Sequence, residues 1–294
     1  MRIPPEVSVI VPHFHDLVSL ELCLNALGRQ TFPAEALEII VADNASPEGE
    51  AAVTALIDGR ARLVTVLERG AGPARNGAVA QAQGRILAFT DCDCQPEPEW
   101  LAQGVEALRG YNFVGGKMNV LVDDPQSMTP AEAFEAEFAF NNEAYVKGKG
   151  FTVTANLFCS REVFDRVGGF RAGVSEDFDW SQRARSEGFH LGYAEMAVVG
   201  HPARRSWADL RTKWRRLNAE TYAIYAARRW GKAHWLLRSC ALPISAIVHT
   251  PRVLVSGKLG SSKDRLAALG ILYRLRLWRF WNALGLVTHR GVSD

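Results

Sequence analysis

The sequence lacks the cysteine patterns of a metal-binding or disulfide-linked module. Its five cysteines among 294 residues show no ligand spacing, and Cys92 and Cys94 are too close in the chain for an ordinary disulfide. We therefore expect a reducing compartment. The first apolar run is only about five residues long, which is too short for a secretory leader, so none is expected at this N-terminus.

Two further patterns are missing. The nearest approach to a dinucleotide-binding loop is Gly70-Ala71-Gly72, but the next glycine, Gly77, comes too late for G-x-G-x-x-G. This absence tells against a nicotinamide-dependent oxidoreductase. The apolar run 236–248 is too short to cross a bilayer and contains Pro243, and arginines interrupt the stretch 266–287, so the sequence predicts no membrane-spanning helix.

The sequence does contain a pair of carboxylates directly after a predicted buried strand. Asp91-Cys92-Asp93 follows the apolar run 85–90, so both carboxylates leave the end of that strand. Magnesium and manganese are hard ions that take oxygen ligands, and substrate phosphates commonly complete their coordination. Acidic turn residues are common after strands, so the neighbouring segments decide whether this D-x-D indicates a metal and diphosphate site.

Strand and helix patterns alternate from the start of the chain. The predicted strands are 7–12, 37–42, 62–67 and 85–90. This alternation is typical of an α/β protein with a parallel sheet, in which ligands bind beyond the carboxyl ends of the strands. Pro12, Asp43 and Asp91 all come at such ends.

Four ordered segments resemble the family 2 glycosyltransferases of the GT-A fold, over about residues 6–201. They are Val7–Pro12, Asp43–Ser46, Ala74–Gly77 together with Asp91–Asp93, and Ser175–Arg183. Their order and spacing are far more specific than any one of them alone. The resemblance implies a Rossmann-like, mostly parallel central sheet with flanking helices, and an inverting transfer of a sugar.

The resemblance also implies a donor site for a nucleotide-diphosphate sugar, with a uridine donor favoured. Asp93 would bind a divalent metal, Mn²⁺ or Mg²⁺, and Asp91 would contact the ribose and support the metal. Asp43 would accept a hydrogen bond from the base, although a turn residue that caps the next helix looks the same in sequence. Arg75 would lie on the nucleotide, and Pro12 would line the crevice through its backbone.

On the acceptor side, the resemblance implies that Asp177 is the general base and that Glu176 helps to bind the acceptor. Acidic residues also favour the first turn of any helix, so their position alone does not assign these roles. Asn156 lies in a stretch similar to the family's acceptor-side segment. His201 follows a late predicted strand and is a candidate metal ligand, although a lone histidine there is more often structural.

The sequence departs from the family pattern in two places. The first strand is followed by His13 and His15, which we interpret as solvated or capping residues. In the acceptor-side stretch, Thr154 and Ser160 stand where glycine and arginine are common in the family.

The near-neutral total charge hides a division between the two ends of the chain. Residues 201–294 contain 18 Lys+Arg and 4 Asp+Glu, a formal +14, whereas residues 1–200 contain 16 and 28, a formal −12. The basic part is also rich in aromatic residues. A charge asymmetry of this size points to a polyanionic partner. Because the resemblance ends near residue 201, we predict a catalytic domain over 1–203 and a basic, aromatic-rich helical region over 204–294.

The helical region is interpreted as a peripheral contact with an anionic membrane surface, on the inner face of the cell membrane. Packing on the core and homo-oligomer formation are the alternatives, and no nucleic-acid-binding module accompanies the charge. A lipid-linked, glycolipid or envelope polysaccharide acceptor is expected. The competing functions are a non-catalytic sugar- or membrane-binding protein on the same scaffold and a nucleotidyltransferase on a related sheet.

Overall fold

A computed structural model describes residues 4–172 and 175–288 of the chain. Its contacts divide the chain into two compact units. The first unit comprises residues 1–119 and 141–201, and the second unit comprises residues 120–140 and 202–294.

Eight strands form one mixed sheet in the order β3-β2-β1-β4-β7-β6-β8-β5. The strands are β1 (Val7–His13), β2 (Leu37–Asp43), β3 (Arg62–Thr65), β4 (Ile86–Phe89), β5 (Gln95–Pro96), β6 (Phe113–Leu121), β7 (Leu157–Ser160) and β8 (Leu191–Pro202). The predicted α/β fold with a helical C-terminal region is confirmed.

Strands β1 to β4 form the parallel half of the sheet, as their sequences predict. Every residue of β1 is buried, which suits a β-branched strand covered on both faces. It pairs in parallel with β2 on one side and β4 on the other. The register places His13 opposite Asp43 at the carboxyl edge, and Asp91 follows β4 at the same edge. The next strand, β7, pairs antiparallel with β4.

The helices of the first unit flank this sheet. They are α1 (Leu17–Leu27), α2 (Glu50–Ile57), α3 (Ala71–Gln81), α4 (Trp100–Ala107), the short α6 (Asn142–Ala144), α7 (Arg161–Val167) and α8 (Glu176–Ser186). An aromatic cluster of Phe89, Phe164, Phe170 and Trp180 joins β4 to α7 and α8. The indole of Trp180 also donates to Gly168 O at 3.0 Å. This packing fixes the start of α8, where Glu176 and Asp177 lie.

The second unit contains α5 (Pro130–Phe138), α9 (Trp207–Ala226), α10 (Gly231–Leu254) and α11 (Ser262–Thr288). Buried glutamates of α5 anchor it to the later helices. Glu135 is 1 % exposed and pairs with Arg204 and Lys213. Burial acts to raise the pKa of Glu135, but these two cations outweigh it and lower the pKa. Glu137 in turn accepts hydrogen bonds from Arg252 and Ser256.

Residues 120–140 therefore pack with the C-terminal helices. The predicted domains, which divide the chain once at residue 203, do not group these residues with that region. That division stays a prediction. No helix within residues 4–172 and 175–288 has the length and apolar character needed to cross a bilayer.

Candidate active site

A buried guanidinium lies at the centre of the candidate site. Arg75 of α3 is 2 % exposed, and it donates through Nη2 to Asp91 and through Nη1 to Glu176. Burial alone would lower the pKa of Arg75, but the charges of Asp91 and Glu176 outweigh it and raise the pKa. The cation also lies 5.9 Å from the ring of Phe170. Arg75 therefore stays charged and joins two carboxylates from separate elements.

The start of α3 has to approach α8 closely for this contact to form. At Gly72 an added Cβ would lie 2.8 Å from Oε2 of Glu176 and 3.2 Å from Cβ of Phe170. A side chain at this position would push Glu176 away from Arg75. Gly72, which does not belong to a dinucleotide loop, thus has a local packing role.

The D-x-D carboxylates gather beside a histidine from a late strand. Ligand atoms of Asp91, Asp93 and Cys94 all lie within 4.8 Å of one another. His201 comes from β8, which pairs with β5 immediately after the D-x-D, and its Nε2 lies 3.4 Å from Oδ2 of Asp93. The structure thus brings His201, a candidate ligand from sequence, to Asp93.

The chemistry of these side chains fits a hard divalent cation. Carboxylate oxygens and an imidazole nitrogen are suitable ligands. A thiol is soft and is not a ligand that magnesium or manganese prefers. Burial raises the pKa of Cys94 well above its usual value, so its sulfur stays a neutral thiol. Arg75 occupies Oδ1 of Asp91, which leaves Oδ2 together with Asp93 and His201 as the groups suited to hold an ion.

A second cluster lies where β1 and β2 end. The carboxylate of Asp43 contacts His13 Nδ1 at 2.8 Å and accepts hydrogen bonds from the hydroxyl and the backbone N–H of Ser46. Burial acts to raise the pKa of Asp43, but these hydrogen bonds outweigh it and lower the pKa. Asp43 is 1 % exposed and stays ionised. His13 and the Ser46 hydroxyl both contact its Oδ1, so the predicted contact with the nucleobase depends on the remaining lone pair of Oδ2.

Of the two interpretations of His13, solvated or capping, the solvated one is wrong. His13 is buried because it is the last residue of β1 and faces Asp43 in register. Its Nε2 accepts the backbone N–H of Asp16 at 3.3 Å, so Nδ1 carries the hydrogen that is donated to Asp43. The pairing register of β1 and β2 would have predicted this contact. His15, by contrast, is exposed and pairs with Glu48.

Asp177 occupies an environment unlike that of the other acids. It lies in the first turn of α8 and accepts a hydrogen bond from the backbone N–H of Thr154 at 3.0 Å. Burial raises the pKa of Asp177 to about 6, against the opposing effect of Arg75. A carboxylate with a raised pKa is a stronger base than an ordinary aspartate once it is ionised.

Asn156 and Pro12 are both buried in the first unit. Asn156 is 0 % exposed, accepts from the indole of Trp100 at 2.9 Å, and donates to the carbonyls of Lys117 and Ala197 at 2.9 Å each. These bonds join α4, β6 and β8. Pro12 lies in β1 next to His13. The acceptor-side role of Asn156 and the crevice role of Pro12 stay predictions.

The family model described as Glycosyl transferase family 2 matches residues 8–179, more than half of the chain. The chain belongs to that family. The match contains the D-x-D, Arg75, Glu176 and Asp177.

This glycosyltransferase is similar in sequence to several others. Glycosyltransferase AglE of Haloferax volcanii is 33% identical over 208 residues, which are 68% of this chain and 68% of that protein. Poly(ribitol-phosphate) beta-glucosyltransferase of Bacillus spizizenii is 31% identical over 113 residues, 37% of this chain, and the match spans only 17% of that longer protein.

A solved structure shows the same fold at low identity. Mannosyltransferase PcManGT from Pyrobaculum calidifontis, solved with GDP-Man and Mn²⁺, aligns over 98% of this chain and 77% of its own with a TM-score of 0.51 and 20% identity. The S. aureus TarS fragment 1-349 with UDP-GlcNAc aligns over 95% of this chain and 81% of its own, with a TM-score of 0.53 and 18% identity.

Replacing Asn156 separates its structural role from its predicted acceptor role. We expect Asn156→Ala to lower the free energy of unfolding by on the order of 3 kcal/mol, because the Trp100 indole and two carbonyls lose their partner. Chemical denaturation measures this loss. Asn25→Ala, at an exposed position of α1, is the control and should change stability by less than about 0.5 kcal/mol. Equal stability of the two variants, with a raised acceptor KM for Asn156→Ala alone, would contradict the structural role.

Proposed function

We propose that the protein is a metal-dependent inverting glycosyltransferase. It transfers a sugar from a nucleotide-diphosphate donor, with uridine favoured, to a hydroxyl of a lipid-linked, glycolipid or envelope polysaccharide acceptor. The observation that carries this proposal is the Arg75 bridge, because it connects Asp91 of the D-x-D to Glu176, the neighbour of Asp177. Such a cluster supports catalysis rather than sugar binding alone.

The donor half is supported by the acidic edge of the sheet. When the glycosidic bond breaks, charge builds on the diphosphate, and a site that offsets this charge lowers the barrier. Asp93, Asp91 and His201 would hold Mn²⁺ or Mg²⁺, which would supply that positive charge. Arg75 holds Asp91, which would contact the ribose, and Asp43 and Pro12 lie at the strand ends where the nucleobase would bind.

The acceptor half is supported by the environment of Asp177. Its carboxylate would take the proton of the acceptor hydroxyl as the oxygen bonds to the anomeric carbon. The bond from that carbon to the diphosphate oxygen breaks at the same time, and the nucleoside diphosphate leaves with the electron pair. Attack on the face opposite the leaving group inverts the configuration. Glu176, held by Arg75, would help to orient the acceptor.

An exposed apolar face on the second unit supports a membrane contact. It is formed by the outward residues of α10 and by Val255, which directly follows the helix, and these residues recur over about 27 Å. They are Leu237, Cys240, Ala241, Ile244, Ile247, Val248, Pro251, Leu254 and Val255. Leu237 and Val255, near its two ends, are 74 % and 83 % exposed. On α11, Leu266, Leu277 and Trp281 are also exposed, and the Tyr273 hydroxyl contacts the Thr250 hydroxyl of α10 at 3.0 Å.

Charge favours an anionic lipid surface over a second copy of the chain as the occupant of this face. A second copy would bring another strongly basic region, net +14 over residues 201–294, against the first. Anionic headgroups would instead attract each basic residue near the surface by roughly 1 kcal/mol. We therefore place the protein on the inner face of the cell membrane, with the α10 face in the headgroup region.

The metal role is tested at Asp93. Asp93→Ala removes an oxygen ligand, so we expect its affinity for uridine diphosphate in manganese to fall to the affinity measured without metal. Calorimetric titration provides both values. Asp124→Ala, an exposed aspartate outside the site, is the control. A variant that keeps the wild-type affinity in manganese would remove Asp93 from the metal site.

The base role is tested by Asp177→Asn. This variant should bind donor normally and lose nearly all transfer, and the wild-type kcat/KM should rise with pH through about 6, since the base must be ionised. Full turnover in the variant would place the base elsewhere.

Stability gives an independent check on Asp177. The folded-state pKa of about 6 lies above the usual 3.8, so the folded protein binds the proton more tightly than the unfolded chain does. Ionising Asp177 therefore lowers stability as the pH rises between these two values. The asparagine variant should lack this decrease and be at least as stable as wild type at pH 7.5.

The membrane contact is tested on the α10 face. The double variant Ile244→Ser with Val248→Ser should sediment less with anionic vesicles than wild type does, by about tenfold in partition coefficient. Val18→Ser with Met196→Ser removes exposed apolar groups from the first unit and is the control. If the α10 variant instead converts a dimer into a monomer and keeps its vesicle binding, the face is an interface between copies.

A further inference from the structure

Three arginines gather where α10 packs against α11. The Trp235 indole of α10 donates to Ala283 O of α11 at 2.9 Å, which fixes the alignment of the two helices. One turn further along α10 is Arg238, and one turn back along α11 is Arg279. Arg276 precedes Arg279 by three positions and so lies on the same side of α11.

These arginines have no acidic counterpart within the part of the chain that the structure describes. None of the three forms an ion pair with a carboxylate there, whereas Arg204, Lys213 and Arg252 of the same unit each pair with a buried glutamate. A buried cation without a counter-charge is costly, and such groups in proteins are normally paired. The cluster therefore carries an excess of positive charge in a half-buried place.

Neutral groups hold the arginines in position instead. The guanidinium of Arg279 lies 3.8 Å from the ring centroid of Trp214, and its Nε donates to Oδ1 of Asn218 at 3.2 Å. Arg238 lies 5.3 Å from the ring centroid of Trp235. Cation–π contacts orient a guanidinium and stabilise it modestly, but they leave its charge and most of its N–H donors in place.

Several donors of the cluster are buried and have no partner. Nη1 of Arg238, Nε of Arg276 and Nε1 of Trp214 are all buried without a hydrogen bond. Burial, together with the charges of Arg276 and Arg238, lowers the pKa of Arg279 to about 9. Arg279 is only 4 % exposed. Unpaired donors and mutual repulsion would both be relieved by an acceptor-only anion.

We propose that Arg238, Arg276 and Arg279 bind a phosphate group. Phosphate oxygens accept hydrogen bonds and match the guanidinium fork, which makes arginine the usual residue for such recognition. Arg238 and Arg276 are half-buried rather than enclosed, so the anion can enter from the surface.

The phosphate group can come from two sources, and both would present the same oxygens to the arginines. It can be free in solution. It can also belong to a lipid headgroup, because Leu237 and Ala241 of the apolar α10 face lie one position before and three positions after Arg238. The proposal does not depend on glycosyl transfer, since every residue of this site lies in the second unit.

The first arm of the test uses inorganic phosphate. The melting temperature of the full chain is followed as phosphate replaces chloride at constant ionic strength, and a saturable rise is expected because phosphate binds only the folded protein. Arg276→Gln should lose this rise, and Arg215→Gln, which removes an exposed arginine of α9, should keep it. In chloride alone, Arg276→Gln should melt no lower than Arg215→Gln, since the change relieves repulsion between arginines.

The second arm uses phosphatidylcholine vesicles with and without phosphatidic acid. A lipid source predicts about tenfold weaker binding of Arg276→Gln than of Arg215→Gln to the phosphatidic acid vesicles. A phosphate effect specific to Arg276 in the first arm alone supports a free phosphate. An effect in the second arm supports a headgroup. If Arg276→Gln matches Arg215→Gln in both arms, the proposal is overturned.

Arg279→Met repeats both arms at the most buried member of the cluster. The same loss of phosphate binding is expected, and unchanged phosphate binding in a folded variant would contradict the assignment of Arg279. Affinity for uridine diphosphate with manganese is measured in all three variants and should equal that of wild type. This readout separates failure of the phosphate site from failure of the donor site.

Discussion

The buried guanidinium of Arg75 is the constraint on which the site depends. A cation that is 2 % exposed has to be paired, and its two partners come from the end of β4 and the start of α8. Because Asp91 and Glu176 both satisfy Arg75, the three elements that carry them are held in one arrangement. Removing either carboxylate would leave a buried charge partly uncompensated, so the ion pairs that build the site also stabilise the fold around it.

The same physical chemistry gives the aspartates of the site different properties. Hydrogen bonds from Ser46 and His13 keep Asp43 ionised, whereas burial raises the pKa of Asp177. One is suited to accept hydrogen bonds and the other to accept a proton. Buried cations of the second unit differ in the same way. Lys213 forms an ion pair with Glu135, whereas Arg279 contacts the neutral ring of Trp214 and the amide of Asn218. The second arrangement leaves charge available for an anion.

The sequence predicts the structural features that depend on local pattern. It does not predict the contacts between residues that are far apart in the chain. Strands β1 to β4 and the D-x-D follow from β-branched runs that end in polar residues, because parallel strands place these ends at one edge. The contact of Arg75 with Glu176 joins residues 101 positions apart, and no periodicity reveals it. The burial of His13 was not predicted because it depends on strand register, and the packing of residues 120–140 with the C-terminal helices depends on buried ion pairs.

Calorimetric titration of the purified wild-type chain with uridine, guanosine and thymidine diphosphates, with and without manganese, tests the donor site most directly. The account predicts that one nucleotide, with uridine favoured, binds in manganese and binds weakly or not at all without it. Binding of equal strength without metal would contradict the metal role of the D-x-D. If no nucleotide binds under either condition, including in the presence of anionic vesicles, the site built around Arg75 is not a donor site.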